Sequence, residues 1–497
     1  MRSPGPVEWL GVAARAPAAL LPAGMLLAAA GTGSPMTAAL MTSFALIGLA
    51  LSVPIAGAAA DRHGQRPVLL ATAGAHVILL VLVLAVLPRL QLTAAGSTPV
   101  ATDAADGPSS LVISVAVIFA LGAGLTAPSA SAMSRARGWH LHHHRPDLGV
   151  GLGAWMRREA AVDELLLVLA PVLAALLSGG LGPGAGLMMA ALLGALAVPA
   201  YAMDPVADPL SDPGDACRTA AGGSAEVPEG PLEPLRVPWP AVEHGQQMVA
   251  EARGMCPERP GDPTRAVQPR RAGAGPSVVG ALLVSLGLGV AIGGSAISAL
   301  VLSSQSHRPE ALGLLLGLCA AAAMLSSRRL PRRLRALDVL RRRRLFALLL
   351  LLTAGLLTAL LAVGPAEGGS WVGTLLRASA AVGLYLMLGA SAGVLLVEVY
   401  RVVARRAPTA ELVSTLSSVA GSLLIGLVVG LITAGLLAEA GAGVFSSVVV
   451  IAVLPPQPSW PCAVASGCGA ACAAMPGPAR TALRGARRAQ RPCRSAR

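Results

Sequence analysis

Two clusters of charged residues stand at the edges of long apolar runs, and their types and spacing limit the chemistry open to them. The first is Gly57-Ala-Ala-Ala-Asp61-Arg62-His63-Gly64-Gln65-Arg66. Gly57 leaves a helix surface bare for a close neighbour, and Gly64 permits a tight turn at positive φ. Asp61 sets a carboxylate where an apolar run ends, within reach of a helix N-terminus or an arginine, and Arg62 and Arg66 add cations on either side of the turn. The second cluster is Arg157-Arg158-Glu159-Ala-Ala-Val-Asp163-Glu164. Glu159 and Asp163 share one helical face, so they repel unless cations lie close, and Arg62, Arg66, Arg157 and Arg158 are the candidates. Two readings stay open: Glu159, Asp163 and Glu164 are partners of the first cluster, or they begin a helix and interact with its dipole. Either way the chemistry is electrostatic fastening, not bond-making.

Motifs for catalysis are missing from the chain. There is no Walker motif, nucleophile elbow or H-E-x-x-H, which speaks against an ATP-driven pump, a membrane hydrolase or another familiar enzyme. The run His140-Leu-His142-His143-His144 has neither cysteines nor spaced carboxylates beside it, so no metal is expected, and no cofactor. Two titratable groups fall inside apolar runs, His76 and Glu398, and a lone histidine among Ala and Leu reads first as a packed, hydrogen-bonded residue.

The elements that must position these clusters are membrane helices. Of 497 residues, 54% are hydrophobic and 13% charged, and the mean hydropathy is +0.68, too apolar for the surface of a water-soluble globule. Aromatic residues are scarce at 3% while Gly reaches 57, which suits helices that pack closely through small side chains. Six runs long enough to cross a bilayer precede residue 204: Ala16 to Ser34, Met36 to Ala59, Pro67 to Leu87, Ser109 to Met133, Ala161 to Ser178 and Leu181 to Met203. Six more come after residue 275: Ser277 to Ser303, Glu310 to Ser327, Leu345 to Val363, Trp371 to Tyr400, Thr409 to Leu437 and the short Gly441 to Leu454, which stops at Pro455 and Pro456. Between them, 204–275 is rich in Pro, Gly and charge and reads as a flexible linker. The organisation expected is therefore a six-helix bundle over 1–203, a cytoplasmic linker over 204–275, a second six-helix bundle over 276–454 and a basic tail over 455–497. The tail has no acids and four cysteines, and reads either as a disordered cytoplasmic extension or as the product of a reading-frame change.

A net charge of +13 would fit nucleic acid if it covered one surface, but the basic residues, all of them arginine, sit in particular loops between apolar runs. Arginine-rich loops follow the second, fourth, eighth and tenth runs, with nine arginines between 328 and 344 alone. Short basic loops face the cytoplasm, so both termini and the linker are expected there, in a multi-pass inner-membrane protein whose partner is the lipid bilayer and not nucleic acid.

The first cluster, Gly57 to Arg66, resembles the signature of the major facilitator superfamily, G-x-x-x-D-R-x-G-R-R, and stands in the expected loop between the second and third helices. The resemblance implies an all-α, polytopic fold of about 12 transmembrane helices in two six-helix bundles. It also implies a cytoplasmic latch role for Gly57, Asp61, Arg62, Gly64 and Arg66. The stretch from Glu159 to Pro171 looks like the fifth helix of actinobacterial-type, drug-efflux-like members, although Ala170 stands where their glycine precedes the proline. The function implied by the resemblance is that of a secondary transporter, which moves a small, amphipathic molecule by alternating access, in the direction of efflux, with protons as the candidate coupling ion. Met25, Ser295, Ser298, Tyr385 and Met387 are the residues expected to line its cavity. The rival readings are uptake of a sugar or metabolite, or a non-transporting sensor or inactive product; the lack of a charged cluster in the first run speaks against uptake.

Overall fold

The computed structural model describes residues 6–94, 110–144, 152–204, 276–306, 308–328, 339–362, 371–406 and 412–440. All belong to the unit Met1–Leu454; the second unit, Pro455–Arg497, falls outside the described residues, as do the expected linker after Asp204 and the expected last span.

Twelve α-helices make up the described chain: α1 Pro6–Ala30, α2 Pro35–His63, α3 Gln65–Ala94, α4 Ser110–Leu125, α5 Ala130–His144, α6 Leu152–Leu181, α7 Ala185–Ala202, α8 Pro276–Gln305, α9 Pro309–Arg328, α10 Val339–Ala362, α11 Trp371–Arg406 and α12 Leu412–Glu439. Among the described residues ten membrane spans are long and apolar enough to cross a bilayer, α4 and α5 together supplying one of them, and α10 holds a shorter apolar stretch, Arg344–Leu357. On α10, Leu345, Leu348, Leu352 and Leu356 recur every three or four residues and are all exposed. A stripe of leucines turned outward is stable only against hydrocarbon, and the protein is a multi-pass membrane protein.

Local signals explain where the helices begin and break. Ser34 accepts a hydrogen bond from the Thr37 amide at 3.1 Å and Pro35 comes next at the first helical position, a strong start for α2. Gly64 separates α2 from α3 at φ +85°, a conformation that a side chain would strain. The fourth apolar run is not one helix: Pro128 lacks an amide proton and bars helical geometry at the residue before it, so α4 ends at Leu125 and α5 restarts at Ala130. His76 of α3 braces this break, its Nδ1 2.8 Å from the Ala123 carbonyl. The fifth run also differs from expectation, because α6 begins at Leu152, so Glu159, Asp163 and Glu164 sit in its interior turns and not at its start. The helix-opening reading of these acids is thereby overturned.

Helices α1 to α7 form the first half, in which α1 packs on α7, α2 on α4 and α3 on α7; in the second half α8 packs on α12 and α11 on both α9 and α10. Among the described residues the halves are joined chiefly by α6 with α9 and α2 with α12, and more lightly by α2 with α8. The α2–α3 turn, with Arg62 and Arg66, lies at one end, the basic end, as do Arg135 and Arg328, and the α1–α2, α6–α7 and α8–α9 turns, the last with the single Arg308, lie at the other, the far end. The core is distributed unequally between these ends. Toward the far end one apolar cluster runs through both halves, from Leu27 and Ala38 through Leu187 to Leu300, Tyr385 and Ala434. Toward the basic end each half closes its own core: Ala14, Ala60, Leu69, Met133 and Val198 in the first, and two clusters around Phe346 with Leu388 and around Tyr400 with Val419 in the second.

Candidate functional site

An arginine inside the first apolar helix organises the basic end of the first half. Arg15 of α1 is 5% exposed and Glu159 of α6 7%. Removing a guanidinium from water costs several kcal/mol unless carboxylates neutralise it, and here the Arg15 guanidinium is ion-paired with Glu159 and lies 3.3 Å from Asp163 Oδ1. Asp163 is shared. Its other oxygen pairs with Arg135 of α5 and accepts a hydrogen bond from the Ser131 hydroxyl at 2.8 Å, while Arg135 also donates to Ser131 at 2.9 Å. Two arginines and two carboxylates thus form a neutral cluster that ties α1, α5 and α6 together. Next to it, Arg137 is buried on α5 with its guanidinium 3.9 Å from the centre of the Tyr201 ring, and its Nε donates to Gln65 Oε1 at 3.0 Å. It links α5 to the end of α7 and the start of α3.

These contacts revise the expected pairing. The described partners of Glu159 and Asp163 are Arg15 and Arg135, whereas Arg62 and Arg66 are exposed at the α2–α3 turn and make no ion pair among the described residues. Arg15 was missed because the first span was expected to begin at Ala16, while the helix runs from Pro6 and the membrane-crossing stretch from Trp9. The first helix therefore does carry a buried charge, which removes the sequence-based objection to uptake. An isolated arginine between Gly11-Val-Ala-Ala and Ala-Pro-Ala-Ala-Leu was the signal that could have found it.

The two halves meet through a few specific contacts. Along α6–α9 the backbones approach so closely that a Cβ on Gly313 would run into the Pro171 carbonyl and the Ala175 methyl. At the basic end of this pair Glu164 of α6 is ion-paired with Arg328 of α9, the one ion pair that crosses between the halves among the described residues. At the far end of α2–α12, a Cβ on Gly435 would lie 2.6 Å from the Ala39 methyl, and Glu439 accepts from the Ser34 hydroxyl at 3.1 Å and the Met36 amide at 3.5 Å. Gly57 is different. A Cβ there would meet nothing within 4 Å, so its bare surface faces no neighbour in this conformation, and the Asp61 side chain lies outside the described residues.

Of the expected cavity residues, Met25 and Tyr385 are fully buried in the apolar cluster shared by both halves. The Tyr385 hydroxyl donates to the Ser295 carbonyl at 2.6 Å, joining α11 to α8. Ser295 and Ser298 are buried with their hydroxyls on carbonyls of their own helix, and Met387 is partly exposed. The other titratable group expected inside a span, Glu398, is buried with its carboxylate 2.7 Å from Arg401.

No protein-family model matches the sequence, and no curated protein matches it. Its fold, however, is shared with solved structures. The chain resembles a bacterial homologue of the iron transporter ferroportin in the inward-facing state, with a TM-score of 0.57 at 14% identity over 90% of this chain and 97% of that one. It resembles a structure described as a bacterial metal transporter with a TM-score of 0.55 at 13% identity, covering 91% and 97% of the two chains. The nucleoside transporter NupG is also similar, with a TM-score of 0.50 at 12% identity over 89% and 99%. At these identities the likeness concerns the fold alone, and the fold is the all-helical, two-bundle arrangement of the major facilitator type.

Proposed function

We propose that the protein is a secondary transporter that moves a small amphipathic molecule across the membrane by alternating access, and that the structure represents its state open toward the cytoplasm. The observation that carries this reading is the unequal core: one apolar cluster seals the two halves together at the far end, while each half is closed on itself at the basic end. Two rigid bodies sealed at one end and separable at the other are what alternating access requires. Short arginine-rich loops put the basic end in the cytoplasm.

Within that cycle, Gly57, Asp61, Arg62, Gly64 and Arg66 form the latch that closes the cytoplasmic side in the opposite state. The open space beside Gly57 is consistent with a released latch. Glu164 with Arg328 is already paired in this state and keeps α6 and α9 joined at the basic end, apart from the latch. The Arg15–Glu159–Asp163–Arg135 cluster keeps the first half rigid while it rocks. Met25, Tyr385, Ser295 and Ser298 surround the constriction that the substrate must pass, with Met387 at its edge. Apolar side chains with a few hydroxyls favour an amphipathic solute over a multiply charged one. We assign efflux as the direction and protons as the coupling ion. Metal, nucleoside and uptake readings, drawn from the structural relatives and from the buried charge on α1, are the alternatives to be tested alongside.

The test is transport by purified protein reconstituted in vesicles, with a panel of amphipathic dyes, nucleosides, sugars and ferrous iron, with and without a proton gradient. Gradient-dependent movement of a dye is expected. If nothing moves while the far end still opens and closes by thiol labelling, a receptor role replaces transport; if the far end never opens, alternating access itself is refuted.

A further inference from the structure

A pit of about 400 Å³ lies at the sealed far end, in the seam between the halves. Its volume falls within the roughly 300–1,000 Å³ usual for small-molecule sites. One wall comes from the first half, with Leu27, Pro35 and Pro183, and the other from the second, with Leu300, Val301 and Arg308. Leu27 and Leu300 also belong to the apolar cluster that seals this end.

The polar groups in its wall are few and of two kinds. Among the described residues Arg308, exposed at the rim, is the cation of the lining. The hydroxyls of Ser178, Ser303 and Ser304 already donate to carbonyls of Pro183, Leu300 and Val301, at 3.3, 2.7 and 2.8 Å, so what they offer a ligand is lone pairs. Two carboxylates stand nearby: Glu439, engaged on Ser34, and Glu310, beside Gly179. A second negative charge on a ligand would meet them.

We infer that this pit is a binding site for a small amphipathic monoanion, one carboxylate on Arg308 and a neighbouring hydroxyl or N–H donor on the serines, and that its occupant holds the far end shut. The recognition comes from the wall: apolar surfaces take the body, one arginine takes the charge and serine lone pairs take the donor. The locking comes from position. Both halves contribute walls, so the site is intact only while the far end is closed, and a ligand that binds one state alone shifts the equilibrium toward it. The locking part rests on the alternating-access reading; the binding part does not.

The probe is 3-phenyllactate, which carries a carboxylate, an adjacent hydroxyl and an apolar ring, added to the full chain in nanodiscs. Calorimetry reads binding, and an impermeant maleimide on Ser43→Cys, in a chain whose own cysteines are replaced, reads opening of the far end. Saturable binding is expected, at least tenfold weaker in Arg308→Gln and partly restored in Arg308→Lys, with labelling slowed at least threefold by the ligand. Phenethylamine, which has the ring but the opposite charge, is expected not to bind. Equal binding to Arg308→Gln, or equal binding of phenethylamine, would overturn the site; binding that leaves the labelling rate unchanged would overturn the lock. A Val301→Trp chain, whose indole fills the pit without touching charge, must also lose binding. Because calorimetry needs no transport, a failure of vesicle transport and a failure of this site are read separately.

Discussion

Gly435→Ala is the smallest change that should move the protein from one state to the other. The added methyl would lie 2.6 Å from the Ala39 methyl, 3.2 Å from the Pro35 carbonyl oxygen and 3.3 Å from Met36 Cα. Carbon atoms pack at about 3.5–4.0 Å, so α12 must retreat from α2 by roughly 1 Å. Two of the three obstacles are backbone atoms and cannot rotate away. Overpacking of this kind costs about 1–3 kcal/mol, and the retreat also lengthens the contact of Glu439 with Ser34, now 3.1 Å, one turn further along α12. The cost falls only on the state in which α2 and α12 touch at this end, so the open state gains by the same amount. That is a population shift of about 5- to 150-fold. Ser43→Cys is a fitting reporter: Ser43 is fully buried, it lies one turn from Ala39 on the same face of α2, and cysteine differs from serine by one atom. Labelling from the far side should accelerate by at least fivefold in Gly435→Ala and further in Gly435→Val. Unchanged labelling in a chain that still elutes as a folded monodisperse species would refute the reasoning, because it would mean that this contact is no part of the seal.

Three further outcomes test the charged groups. Glu159→Gln should destabilise the protein by about 1.5–3 kcal/mol, because it leaves buried Arg15 with Asp163 as its one described carboxylate partner, whereas Arg15→Met combined with Glu159→Leu should cost less than the two single changes together; thermal unfolding in detergent decides, and additive losses would show that the pair is not coupled. Glu164 and Arg328 are partly exposed, so a double-mutant cycle should give a coupling of about 0–1 kcal/mol that fades with added salt, and a larger salt-insensitive value would contradict the surface character of this pair. Asp61→Asn should reduce vesicle transport strongly while leaving membrane insertion intact, since the neighbouring arginines still orient the loop; wild-type rates would remove the latch role.

The fastening residues were easier to locate than to pair. Glu159 and Asp163 announce themselves in the sequence by their spacing, and the need for cations arises from Coulomb repulsion alone. Which cations answer is a question of three-dimensional neighbourhood: Arg15 is more than a hundred residues away and reaches them because α1 packs on α6. Arg135 reaches Asp163 because the chain breaks at Pro128 and redirects α5. Both cations lie on helices whose ends the hydropathy pattern misplaced, since an arginine near a span boundary lowers the local average and pushes the apparent boundary past itself.

That the chain builds a series of long apolar helices was determined by the sequence itself, because in hydrocarbon each helix satisfies its own backbone hydrogen bonds and must be long enough to cross. The turn at Gly64 and the strong start at Ser34 and Pro35 were likewise local matters of φ and of a single cap. Which helices touch, and at which end the halves are joined, only the tertiary structure decided. Leu27 and Leu300 carry no mark that separates them from the leucines exposed along α10, yet they seal the two halves while the others face lipid. In a chain apolar on nearly every face, hydrophobicity cannot single out the packed face, and small residues opposite backbone carbonyls, as at Gly313 and Gly435, set the approach instead.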